Sequence, residues 1–168
     1  MIDVTLKRIL SFVVLVLVQI LLLNNVKFLG FITPYLYIYF VLSLPSSVSK
    51  EMTLFWGFLL GLTIDIFCGS LGCNALATTL IAYLKPYFQS FFGPKDDYDE
   101  VKPSTATFGF EMYLQYVAYL TIIHHLVFFF VEAFTLSRFW SVLFSAFCCT
   151  LFTLLMILSL EYFKHRRR

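Results

Sequence analysis

Two side chains in this sequence have a type and a setting that could do chemistry, the carboxylate of Asp65 and the imidazole of His125. Asp65 is the one charged residue in the run from Thr53 to Ala82, TLFWGFLLGLTIDIFCGSLGCNALATTLIA, which four glycines interrupt. A carboxylate in hydrocarbon costs about 2.5 to 3.5 kcal/mol on insertion scales, so Asp65 must face protein, a water-filled cavity or the membrane interface. It can act on a substrate, or it can anchor a helix end by accepting hydrogen bonds. His125 stands in a stripe of Glu111, Gln115, Ala118, Ile122, His125, Phe129 and Glu132, spaced by steps of four and three that put them on one helix face. That face is expected to meet protein, as a proton relay or ligand site. The alternative is a neutral imidazole hydrogen-bonded across helices with both glutamates near the interfaces, and His124 turned about 100° away.

Other chemistries find no pattern here. The sequence has no HExxH metal motif, no phosphate-binding glycine loop and no G-x-S-x-G elbow, so no catalytic residue, metal ligand or cofactor is assigned and the chain is read as not an enzyme. Cys68, Cys73, Cys148 and Cys149 match no metal spacing and read as small apolar residues in helices, with a Cys68–Cys73 disulfide as the other reading.

The elements that must hold these residues are membrane spans. Of 168 residues, 60% are hydrophobic and 13% charged, well below the quarter typical of soluble domains, which leaves no room for a globular catalytic domain. The sequence predicts an all-α membrane protein, one domain of six transmembrane helices at about 9–26, 28–44, 52–67, 73–92, 108–134 and 139–163, each long enough for a core of roughly 30 Å. Basic residues ahead of the first run describe a signal peptide too, but no small-x-small site follows, so a retained span is expected. Pro34 belongs in the first turns of the second span, where a missing N–H costs nothing. In the third, Gly57, Gly61 and Asp65 share a face almost free of side chain, suited to close packing, and the turn at Gly69 and Gly72 reverses the chain. Lys85 is expected to snorkel to the interface, with residues 87–92 at the surface beyond a kink at Pro86. Residues 93–107 form a polar loop. Ser141, Ser145, Cys149 and Thr153 make a small face in the last span, their polar atoms bonded locally to backbone.

Ten of the twelve Lys and Arg fall with the termini and the even loops, against Lys27 and Arg138 on the other face, so both termini are expected in the cytoplasm. Asp65 then lies toward the external side.

LLLNNVKFLGFITPYLYIYFVLSLP from Leu21, FWGFLLGLTIDIFCGSLGCNALATTLIAYL from Phe55, and the basic tail resemble MreD, the rod shape-determining membrane proteins of bacteria. The Asn-Asn pair, Pro34, and Gly61, Leu62, Asp65, Gly69 and Gly72 carry the likeness, which covers residues 10–84 well and the rest only by span count. It implies a bundle similar to the substrate-binding subunits of energy-coupling vitamin transporters. It also implies a multi-pass inner-membrane component of the cell-elongation complex. Its partners would be an MreC-like protein and, through it, the MreB filament, RodA and a transpeptidase, with membrane lipids around it and no nucleic acid. The family brings no catalytic residues, so Pro34, Gly57, Gly61, Asp65, Gly69 and Gly72 transfer as signature and packing positions. The alternative function is a subunit that binds or transports a small molecule or lipid-linked precursor, for which an open polar cavity of several hundred Å³ is needed.

Overall fold

The computed structural model describes residues 2–26, 32–94, 101–134 and 139–166, without the side chains of residues 2–4 and 165. Lys27, Arg138, the acidic residues of 95–100 and the start of the expected second span, 28–31, lie outside them. Among the described residues the chain is helical and has no strand. Four helices are long and apolar enough to cross a membrane, over Thr5–Asn25, Lys50–Cys68, Phe110–Ala133 and Phe139–Lys164, which fits a multi-pass membrane protein.

Helix α1 (Ile2–Leu21) ends in a 3-10 turn, Leu23–Asn25, where Asn25 Nδ2 donates to the Leu21 carbonyl at 2.9 Å and so caps the helix. Helix α3 (Lys50–Cys68) starts at Ser49, whose hydroxyl accepts from Met52 N–H, and stops at Gly69. At φ +70° Gly69 takes the left-handed conformation that closes helix ends, and its N–H returns to the Asp65 carbonyl at 2.8 Å. Gly72, at φ +88°, then launches α4 (Cys73–Phe92), the predicted boundaries of the fourth element. The polar loop hides a single turn, α5 (Thr105–Phe108), before α6 (Phe110–Ala133) and α7 (Phe139–Arg166). Helix α4 runs unbroken through Pro86 to Phe92, with Gln89 and Phe92 buried.

The second expected helix is where sequence and structure part. Residues 32–44 are not a continuous helix: Thr33 to Tyr35 are irregular, a 3-10 turn covers Leu36–Ile38, and α2 (Tyr39–Leu42) is one turn long. Pro34 therefore sits in irregular backbone rather than in a first helical turn, consistent with the bias of residues before proline away from the helical region. The segment is also deeply enclosed, with Tyr37, Ile38 and Val41 at 0% exposure and Leu42 at 1%. Irregular backbone at membrane depth survives only where protein supplies its hydrogen bonds. Here four neighbouring helices contribute. From α1, Gln19 Nε2 donates to the Pro34 carbonyl at 3.0 Å while its Oε1 accepts from Tyr37 N–H at 3.4 Å. Thr153 of α7 accepts from Tyr35 N–H at 3.0 Å. Tyr116 of α6 donates to the Leu42 carbonyl at 3.0 Å, and Gln89 of α4 to that of Leu44 at 3.3 Å.

Two expectations fall with this arrangement. The Thr153 oxygen accepts from another element, where bonding within its own helix was expected. Lys85 does not snorkel: it is 1% exposed, its Nζ donating at 3.0 Å to the Gln89 that holds Leu44, because that face of α4 turns toward the central segment. Replacing Thr153 with valine keeps the shape and removes the acceptor, leaving the Tyr35 N–H unpaired at a cost of about 1 to 3 kcal/mol. A lowered thermal midpoint of the detergent-solubilised chain, restored by Thr153→Ser, is the expected result; an unchanged midpoint for the valine variant would show that the segment does not need this bond.

Candidate functional site

Asp65 sits at the last turn of α3 and points into the start of α4. Its Oδ1 accepts from Ser70 Oγ at 2.7 Å, from Asn74 N–H at 3.0 Å and from Asn74 Nδ2 at 2.9 Å; its Oδ2 accepts from Ala75 N–H at 2.7 Å. Helix starts leave their first amides without partners and carry partial positive charge. The residue before α4 is Gly72, which has no side chain to cap them, so a carboxylate from the preceding helix does the capping. The approach it needs is made possible by the glycines one and two turns earlier. A Cβ at Gly61 would lie 2.5 Å from Ala75 Cα, and one at Gly57 would lie 2.6 Å from Ala82 Cβ. Gly57, Gly61 and Asp65 thus form one seam against α4 of the same chain.

From Asn74 the polar contacts continue inward. Its Nδ2 is committed to Asp65 and Ser70, so its Oδ1 is the acceptor for the Tyr37 hydroxyl at 2.7 Å. That hydroxyl has one hydrogen and has spent it, so His124 Nε2, at 3.0 Å, is the donor to Tyr37. The histidine reaching the site is therefore His124, which the expected stripe turned away. His125 instead has Nδ1 at 2.9 Å from the Thr121 carbonyl of its own helix and 3.2 Å from Thr150 Oγ1 of α7, the arrangement of a neutral cross-helix imidazole. Tyr35 packs edge-on to His125, ring centres 5.1 Å apart. An amide stands between Asp65 and Tyr37, so these contacts carry no continuous proton path. His124 Nδ1, His125 Nε2 and Thr121 Oγ1 are buried without a partner.

Helix ends α1, α3 and α6 and the start of α4 gather at one end of the bundle around an open cleft of about 320 Å³. Asn24, Tyr35, Cys68, Ser70, Asn74 and Glu132 line it with others, so the Asp65 cap forms part of its wall. Cys68 and Cys73 are both free, which removes the disulfide reading; Cys68 Sγ accepts from Asn24 Nδ2 at 2.8 Å.

The stripe on α6 does not face protein as a unit. Glu111, Gln115, Ile122 and Glu132 are exposed and only His125 is fully buried; the buried face runs through Tyr113, Tyr116, Val117, Leu120, Thr121, His124 and Phe128. A helix apolar on every side gives no phase to its rotation. Sequence reasoning passed over Tyr37 and Asn74, which join Asp65 to His124. Asn74, an amide two residues into an apolar helix, was the legible signal; Tyr37 had none. Among the described residues no group of three or more His, Cys, Asp or Glu could hold a metal ion. Compared with protein-family models, curated proteins and solved structures, the chain finds no match.

Proposed function

We propose that this chain is a non-enzymatic membrane component of the bacterial cell-elongation complex, of the MreD kind, that supports rod shape and side-wall peptidoglycan synthesis by holding partners together. One observation supports it above the rest. The acid best placed for chemistry has both oxygens filled by four donors of its own chain, so Asp65 is spent on closing α3 against α4. In this reading the chain passes the inner membrane six times, five as helices and once as the enclosed segment 32–44, with both termini in the cytoplasm. The bundle is of the vitamin-transporter-subunit kind that the resemblance implies. The basic-residue asymmetry supports the orientation. In a chain whose own cysteines are replaced, a thiol placed at position 97 should be labelled only from the cytoplasm and one at 137 only from outside; the reverse would discard it.

The partners are an MreC-like protein and, through it, the MreB filament, RodA and a transpeptidase. Co-purification from native membranes should recover the MreC-like partner, and depletion of the chain should round the cells. Recovery of the chain alone from cells that stay rod-shaped without it would end this reading. The open cleft of about 320 Å³ favours a second one, a ligand-binding subunit.

A further inference from the structure

We propose that the cleft at the end of the bundle binds an alkylammonium group, with Glu132 as counter-ion and Tyr35, Phe67 and Phe128 as its aromatic walls. This deepens the ligand-binding reading and requires neither transport nor elongation partners. The chemistry follows from what the lining has left to offer. Its amides and the Ser70 hydroxyl are already committed: Asn24 to Gln19 and Cys68, Asn25 to the end of α1, Ser70 to Asp65 and Asn74, Asn74 to Asp65 and Tyr37. Glu132 is the single charged side chain among the described lining residues and makes no hydrogen bond or ion pair with any of them. Among the described lining residues the one charge left over is therefore negative, and a carboxylate only accepts, which calls for a cation that donates.

The walls match such a guest. The Tyr35 and Phe128 rings lean together with centres 5.1 Å apart, and Phe67 lines the cleft from α3. Ammonium groups are attracted to aromatic faces, more strongly where water is thinned out. The volume is at the lower end for small-ligand sites and fits a headgroup-sized amine. The irregular stretch holding Thr33 and Tyr35 also borders it, and in membrane proteins unwound backbone at a cavity marks where ligands are held. The group can come from a free amine or from the headgroup of an ethanolamine phospholipid.

Cys68, exposed and in the lining, reports occupancy directly. The purified full chain is alkylated with a maleimide, and modification at Cys68 is followed by mass spectrometry with added ethanolamine, in neutral-detergent micelles, or in nanodiscs of phosphatidylethanolamine or phosphatidylglycerol. Slower alkylation with ethanolamine identifies a free amine as sufficient; slowing only in phosphatidylethanolamine discs identifies the lipid. In either arm Glu132→Gln should raise the half-protecting concentration about tenfold, the factor that about 1.4 kcal/mol represents. No protection in any arm, equal protection by ethylene glycol, or protection unaltered by Glu132→Gln overturns the proposal. Because the assay needs no partner, its failure leaves the elongation reading standing, and failure of co-purification leaves this one standing.

Discussion

Replacing Asp65 with leucine should cost this protein more than any other single change at the site. Leucine fills much the same space but accepts nothing, which strands the buried amides of Asn74 and Ala75 at the start of α4. Each buried donor left unpaired costs about 1 to 3 kcal/mol, so the two together cost about 2 to 6, a large share of a typical folding free energy. The Ser70 hydroxyl, at the edge, can turn to water. From shape alone Asp65→Asn is expected to keep most of the fold, and the geometry revises that. Both carboxylate oxygens accept, whereas asparagine offers one acceptor and sets an NH₂ against a backbone N–H or the Asn74 amide. Asp65→Asn should fall between the parent and Asp65→Leu in thermal midpoint. In cells, loss of shape rescue should follow loss of stability and partner binding across the three proteins. An Asp65→Asn protein that is as stable as the parent, binds the MreC-like partner and still fails to rescue shape would overturn the scaffold-only reading in favour of a charge-dependent step.

Gly61→Leu should separate α3 from α4. The first atom of any side chain at 61 would stand 2.5 Å from Ala75 Cα and from the Asn74 carbonyl oxygen, and 2.7 Å from Ala75 N. These are backbone atoms at a helix start, so no neighbour can swing aside. Overpacking costs about 1 to 3 kcal/mol where side chains can adjust, and Gly61 should reach the top of that range with alanine already harmful. The same displacement pulls the Asp65 carboxylate off its amides, so the losses at 61 and 65 are coupled and should not add. Gly69→Ala is the contrast. Nothing lies within 4 Å of its Cβ position, and the penalty there is the left-handed backbone at φ +70°, roughly 1 to 2 kcal/mol. Thermal unfolding of the three variants in one detergent tests the order; a Gly61→Leu protein that melts with the parent would mean that the α3–α4 seam is not closed in the membrane.

What the sequence determined by itself is the part of this protein written in local covalent terms. Glycines at 57 and 61 with an acid at 65 define a bare helix face at any rotation of that helix. Gly69 and Gly72 mark the turn because left-handed backbone is cheap only for glycine. Long apolar runs around few charges announce membrane-crossing helices, and among the described residues four helices are long and apolar enough. The tertiary structure alone decided which polar groups meet. A run such as 28–44 reads the same whether lipid or protein surrounds it, since both are apolar. Only the flanking helices reveal that residues 32–44 need not form one continuous helix, their backbone bonded by Gln19, Gln89, Tyr116 and Thr153. Those four residues look unrelated along the chain because each answers a carbonyl or an amide on another element. For the same reason spacing pointed to a stripe through Glu111, Gln115, His125 and Glu132, while packing against Tyr37 and Asn74 selected His124. Helix rotation is set by the neighbours a helix packs against, and an all-apolar helix carries no record of them in its own sequence.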